Sequence, residues 1–233
     1  MSRIDAVLLD VGGVFLLPDH GQMAAAIARA GVQVDEARLD QAHYAGVAAL
    51  YDFREGDREI WVAYNRAYAR ACGLPADTVD DAVEHLLNEF ATGAVWSRVV
   101  PGSVEALRQL KANDVRLAIV SNADGNAEER LREHRICQVG TGPGVEVDAV
   151  IDSEVVGVAK PDPRIFEIAL ERLGVPPTAA IHVGDTPGAD VDGARAAGVG
   201  PVLVDPYDLH PELDVERVRA LREVVELVAS GRR

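Results

Sequence analysis

The chain has 233 residues, 48% hydrophobic and only 5% aromatic, and carries a formal net charge of −15. That length allows one large domain or a core with a smaller insertion, and the dominance of Ala, Val, Leu and Gly suits helices packed on a sheet. The negative balance argues against a nucleic-acid backbone or an anionic membrane as partner, so an anionic substrate has to be captured by locally placed cations or metal. Cys72 and Cys137 lie far apart with no CxxC spacing, which points to two buried thiols in a reducing compartment and not to a disulfide framework or zinc site. The run Ala6–Leu9 is too short for a signal segment, and no stretch approaches the roughly 18–20 apolar residues of a membrane span. A soluble cytoplasmic protein is expected.

In chain order, Ile4 to Asp10 reads as a buried strand, aliphatic without alternation, as in a central parallel strand. Val14 to Pro18 continues the apolar character as a short hairpin. From Gln22 to about Thr92 the periodicity is helical, with candidate helices Gln22–Ala30, Glu36–Phe53, Glu59–Cys72 and Thr78–Ala91 separated by Gly- and Pro-containing breaks. Asp57 and Asp77 are candidate N-caps. The α/β rhythm resumes at Pro101-Gly102. Ser103 is placed to cap a helix to Asn113, Val115–Val120 is a second buried strand ending in Ser121-Asn122, and Asn126–His134 is helical. Gln138–Val145 is a glycine-containing loop, Asp148–Ile151 a short strand and Pro163–Leu173 a helix. Ala179–Val183 is a strand ending in Gly184-Asp185, Val191–Ala197 a helix, Gly200–Val204 a strand, and Val215–Ala229 a terminal amphipathic helix. Strands alternating with helices imply a parallel sheet with right-handed crossovers.

Asp10, Ser121 and Asp185 all end predicted strands, and a parallel sheet gathers such ends on one edge. Lys160, on the loop Gly157–Pro161, is predicted to join them. Two carboxylates at one edge repel unless a cation sits between them, and hard oxygen ligands suit Mg²⁺. A hydroxyl, backbone N–H groups and a lysine make a receptor for a phosphate dianion. An Asp facing a bound phosphate can act as nucleophile through an aspartyl-phosphate, with lysine and metal stabilising the transferring group.

Four segments in this order, LLDVGGV at Leu8–Val14, VSN at Val120–Asn122, GVAKPDP at Gly157–Pro163 and HVGDTPGAD at His182–Asp190, resemble the motifs of the haloacid dehalogenase superfamily of phosphohydrolases. The helical block after the first motif resembles that family's C1-type cap. The resemblance covers nearly the whole chain and implies a Rossmann-like α/β core, residues 1–15 and about 94–233, with an inserted helical cap at about 16–93 that closes to exclude water. It implies that Asp10 is the nucleophile and a Mg²⁺ ligand, that Asp185 is the second acidic ligand, and that Asp190 supports metal-bound water or the lysine. It further implies that Ser121 and Asn122 bind phosphate through the hydroxyl and the following backbone N–H, and that Lys160 binds phosphate and offsets Asp10. The implied reaction is Mg²⁺-dependent hydrolysis of a small phosphorylated metabolite.

Gly12 departs from the family pattern, which carries a second Asp two residues after the nucleophile to protonate the leaving oxygen and later activate water. The same position lends its backbone carbonyl to the metal, which glycine can do. Three readings stay open: a substitute acid such as Asp19, His20 or Asp124; a substrate with a good leaving group; or a catalytically weak protein kept for phosphate or protein binding. A metal-independent dehalogenase is disfavoured by the Gly184-Asp185 metal position, and a dinucleotide-binding fold by the absence of GxGxxG after the first strand. His182 is expected to be a packed core histidine. His43, His85, His134 and His210 are expected on helix surfaces or loops without partners. Tyr44, Tyr51, Trp61, Tyr64 and Tyr68 are expected to pack the helical block, with a roof over the substrate as the sharper alternative.

Overall fold

Ala6, Val7, Leu8 and Leu9 are all fully buried. A strand with no exposed residue on either side has both faces covered, which is the situation of a central strand in a parallel sheet. The computed structural model describes residues 3–50, 58–91 and 93–231. Its elements run β1 (Ala6–Leu9), β2 (Leu16–Pro18), α1 (His20–Arg29), α2 (Leu39–Ala48), α3 (Arg58–Ala71), α4 (Val79–Phe90), β3 (Trp96–Val99), α5 (Ser103–Ala112), β4 (Arg116–Ser121) and α6 (Ala127–Glu133). They continue with β5 (Cys137–Val139), β6 (Val145–Val147), β7 (Ala149–Asp152), α7 (Ser153–Val156), α8 (Pro163–Leu173), β8 (Ala180–Gly184), α9 (Gly193–Ala196), β9 (Gly200–Val204), β10 (Glu216–Val218) and α10 (Leu221–Ser230).

The chain divides into two compact units: an α/β unit that runs through Phe15, Val99–Pro206 and from Glu212 on, and a helical unit of Leu16–Arg98 joined by Tyr207–Pro211. In the α/β unit six strands lie in the order β10-β9-β8-β1-β4-β7, every pair parallel. One face, carrying Ala6, Leu8, Ala118, Val120, Ala149, Ile151 and Ala180, packs on Ile165, Phe166, Ala169, Leu170 and Leu173 of α8. The alternate residues Val7, Leu9, Leu117, Ile119 and Val183 are equally buried, so the opposite face is covered too. This is the Rossmann-like α/β architecture expected from the alternation of elements. After β1 the chain lays down β4 and then β7 on one side, and returns to add β8, β9 and β10 on the other. β1 therefore marks the point where the winding reverses, and the crevice at its carboxyl end is where such sheets place a site.

The helical unit has its own core. Met23, Ala26 and Ile27 of α1, Ala42 and Val47 of α2, Tyr64, Tyr68 and Ala69 of α3, and Val79, Ala82, Val83 and Leu86 of α4 pack together. Tyr64 and Tyr68, one helical turn apart, are 1% and 0% exposed, so they pack the bundle as the plainer expectation held. Trp61 is 38% exposed and stacks on Phe90 with ring centroids 5.6 Å apart.

Several local expectations are corrected. Val215–Ala229 is not one helix: Glu216–Val218 pairs in parallel with Val202–Val204 as β10, and the helix begins at Leu221. The segment Gln138–Val145 is not loop throughout, because Cys137–Val139 and Val145–Val147 pair in parallel around a tight glycine turn that the Gln138 side chain braces, donating to Gly140 O and accepting from Gly144 N. Val14–Pro18 forms no local hairpin; Leu16–Pro18 pairs with the distant β3. The N-cap of α5 is Gly102, and the Ser103 hydroxyl donates to Val100 O. Thr78, not Asp77, stands at the N-cap of α4. The Asp57 cap, the Arg54–Gly56 break, Tyr51 and the end of the helix proposed to Phe53 lie outside the described residues. His43 is no surface residue, being 1% exposed with Nδ1 2.9 Å from the Tyr64 hydroxyl, and His210 is buried.

Candidate active site

The register puts Leu9 level with Ile119 on one side and Val183 on the other, so the residues that follow emerge together. Asp10 leaves β1 with its N–H bonded to Val183 O at 2.9 Å. Ser121 ends β4, 5% exposed, and Asp185 follows β8, 4% exposed. Asp10, Asp185 and Asp190 bring carboxylate oxygens within 4.8 Å of one another, all buried. The Lys160 ammonium, 2% exposed, lies 2.7 Å from Asp10 Oδ1 and 2.7 Å from Asp190 Oδ1. Asp10, Lys160, Asp185 and Asp190 thus meet at one edge of the sheet, and Ser121 ends the neighbouring strand β4.

Asp190 reaches Lys160 because the chain after Asp185 makes a turn of π-helix, Pro187–Asp192, in which Thr186 O accepts from Asp190 N at 2.8 Å and Val191 N at 3.4 Å. Such wide turns re-aim side chains near functional sites. Asp190 accepts three hydrogen bonds: Oδ1 takes Lys160 Nζ and, at 2.8 Å, His182 Nε2, while Oδ2 takes Thr186 N at 2.9 Å. Two glycines make room. A Cβ on Gly184 would lie 2.1 Å from Asp190 Cγ, and one on Gly13, at φ +63°, would lie 2.0 Å from Asp185 Oδ2. Neither glycine tolerates a side chain while those carboxylates keep their places.

The loop after β4 is held by residues that the sequence motifs did not reveal. Asp152, directly across from Ser121 in register, is 4% exposed and accepts from Gly125 N and Ala127 N at 3.1 Å each and from Glu154 N at 3.0 Å. Ser153 Oγ accepts from Ala123 N at 3.0 Å and donates to Ala123 O at 3.2 Å. Asn122, whose backbone N–H is the expected phosphate donor, uses its side chain to bond the Lys160 main chain. Gly12 O accepts from Val14 N at 2.7 Å, so the carbonyl expected to face a metal has one lone pair in a turn.

Burial pushes Asp10 up to about 7, with Asp190 and Asp185 adding to the rise and Lys160 opposing it. Burial also works against the charge on Asp190, but the Lys160 ammonium and the bond from His182 outweigh it and hold that carboxyl below the ordinary range. Lys160 loses some basicity to burial, yet Asp10 and Asp190 more than restore it, so it stays an ammonium. Burial lowers His182 below the usual imidazole value despite Asp190. His182 is a packed core residue, 0% exposed against Phe166, as expected, but its bond to Asp190 makes it part of the site's support. Only its place two residues before Gly184 on the same strand face hinted at this.

One ammonium among these three buried carboxylates leaves an excess of negative charge. With Asp190 engaged by Lys160, His182 and Thr186 N, Asp10 and Asp185 are the donors whose hard oxygens fit a divalent cation. Of the suggested substitute acids, Asp19 caps α1 by accepting from Gln22 N at 2.9 Å, and Asp124 pairs with Arg130 at 3.2 Å. His20 Nε2 lies 2.7 Å from Asp40 Oδ1, and Arg98 grips that carboxylate through Nε and Nη2 at 3.0 Å each.

Residues 4–198 match the family model of haloacid dehalogenase-like hydrolases. The human haloacid dehalogenase-like hydrolase domain-containing protein 3 is 32% identical over 222 residues, covering 88% of this chain and 85% of that one. A phosphoserine phosphatase from Thermus thermophilus is 39% identical over 129 residues, covering 53% of this chain and 49% of its own. The crystal structure of a HAD phosphatase from Thermococcus onnurineus superposes with a TM-score of 0.55 over 98% of this chain and 99% of that chain, at 20% identity, which is a likeness of fold.

Proposed function

The chain belongs to the haloacid dehalogenase-like hydrolases, and from that premise we propose that it is a Mg²⁺-dependent phosphatase of small phosphorylated metabolites, with Asp10 as nucleophile. The observation that carries this reading is the Lys160 ammonium 2.7 Å from both Asp10 and Asp190 at the carboxyl edge of the sheet, beside Asp185. The phosphatase among the sequence relatives supports the choice of ester.

Asp10 attacks phosphorus through a carboxylate oxygen. The bond from phosphorus to the leaving oxygen breaks as the acyl-phosphate bond forms, and the leaving oxygen takes its proton from solvent water. Water then attacks phosphorus and gives up a proton to solvent, the acyl-phosphate bond breaks, inorganic phosphate is released and the Asp10 carboxylate is restored. Lys160, fixed by Asp190, offsets charge on the equatorial oxygens, and Ser121 with the backbone N–H after it binds them. Asp10 and Asp185 would hold Mg²⁺, with the Gly12 carbonyl as a further donor. When bound, the ion supplies positive charge that keeps Asp10 ionised and screens nucleophile from phosphate.

Phosphate release from a panel of phosphate esters, with and without Mg²⁺, tests this reading. The native protein should release phosphate only with Mg²⁺, and Asp10→Asn should reduce release to background. No release above that variant with any ester would overturn the phosphatase reading and favour a binding role.

A further inference from the structure

We propose that the side chain of Asn122 positions Lys160, its amide acting on the lysine's main chain, and that only the backbone N–H of this residue is left for the phosphoryl group. The inference deepens the phosphatase reading and rests on it for its catalytic consequence.

The geometry is a two-point clamp. Asn122 Nδ2 donates to Lys160 O at 2.9 Å, and Asn122 Oδ1 accepts from Lys160 N at 2.8 Å. Both heteroatoms of the amide face one residue's backbone, as a neighbouring strand would. The lysine loop needs such a partner, because the next residue is Pro161 and contributes no N–H of its own. The clamp is anchored in turn. Ser153 holds Ala123, and Asp152 holds Gly125 and Ala127, so the loop that carries Asn122 is fixed immediately after it.

The consequence appears at the other end of the lysine. Nζ lies 2.7 Å from two carboxylates in a fully buried place, where distance governs electrostatic strength steeply. A backbone shift at residue 160 carries Nζ away from one carboxylate or the other. The Asn122 side chain therefore sets where the positive charge meets the transferring group, through its two bonds to the Lys160 main chain.

Crystal structures of the native protein and of Asn122→Ala, together with a double-mutant cycle against Lys160→Met, test the assignment. In Asn122→Ala, Nζ should leave its place between Asp10 and Asp190. The kcat for 4-nitrophenyl phosphate should fall on the order of 10²-fold, the scale of a misplaced catalytic group. KM and the inhibition constant of inorganic phosphate should stay within about threefold, since ground-state binding is not what is lost. In the Lys160→Met background the same substitution should cost nothing further, because residues acting through one group are not additive. Asn122→Asp, which keeps the acceptor for Lys160 N but loses the donor to Lys160 O, should give a smaller loss, and replaces alanine if that variant does not fold. Nζ unmoved in the variant, or equal losses in both backgrounds with weaker phosphate inhibition, would overturn the assignment. If the native protein hydrolyses no ester, the phosphatase reading fails by itself, and the position of Nζ in the variant still decides whether Asn122 sets it.

Discussion

At the scale of single residues, the two adjacent glycines that follow Asp10 and Val11 do opposite things. Gly13 sits at φ +63° with its missing Cβ taken up by Asp185, so it is a structural requirement. Gly12 is not among the glycines with positive φ, so an L side chain is compatible with its backbone, and its lack of a carboxylate is a chemical choice. If no other group protonates the leaving oxygen, Gly12→Asp should raise kcat for an alkyl phosphate on the order of 10²-fold, the typical value of a positioned acid. Turnover of 4-nitrophenyl phosphate, whose leaving phenolate needs little protonation, should change far less. Steady-state rates on the two esters check this; an unchanged alkyl phosphate rate would mean that a substitute acid already serves. Asp10, Lys160 and Asp185 were legible in the sequence because each ends a strand or opens a loop in a recognisable order. Asn122 was legible only as to type: the sequence says that an amide follows Ser121, but its partner lies on another loop. His182 looked like core and is core, and its bond to Asp190 exists only because a π-turn folds that carboxylate back over the strand.

At the scale of elements, the opposite edge of the sheet has its own carboxylate. Asp148, at the start of β7, accepts from Leu117 N at 2.9 Å and from Arg116 Nη1 at 3.0 Å. Burial works against its ionisation, but Leu117 N–H, Arg116 and Lys111 outweigh it and hold the carboxyl below the ordinary aspartate value. A depressed folded value means that the stabilisation is complete above the unfolded value, near 3.8, and is lost as pH falls through the folded one. Asp148→Asn should therefore cost on the order of 1 kcal/mol at neutral pH, a modest figure for a partly exposed pair, and almost nothing in strong acid. Urea unfolding of both proteins across that range measures it; an equal cost at both ends would mean that the charge is not what matters. The strands that sequence reading found, β1, β4, β7, β8 and β9, are largely buried aliphatic runs. It missed β3, β5, β6 and β10, which are short and partly exposed and gain their structure from partners that local pattern cannot reveal.

At the scale of the whole molecule, the chain joins an α/β unit and a helical unit, each with a separate hydrophobic core, and no helix among the described residues is long and apolar enough to cross a membrane. The net charge of −15 repels the dianion that the proposed reaction consumes. Raising ionic strength from about 0.01 M to about 0.15 M shortens the screening length from roughly 30 Å to roughly 8 Å. The kcat/KM for a phosphate ester should rise over that interval, with kcat less affected. A fall would mean that local cations, and not the overall charge, govern substrate capture. The fit between Gly13 and Asp185 has a consequence for descent as well. Because the space of one residue's absent methyl is filled by the other's carboxylate, the two positions constrain each other. A lineage that acquires any side chain at Gly13 loses Asp185 from its place in a single step. Restoring the pair after Asp185 has also drifted takes two changes, neither of which helps alone. Loss of this site is a short path, and its recovery is a valley.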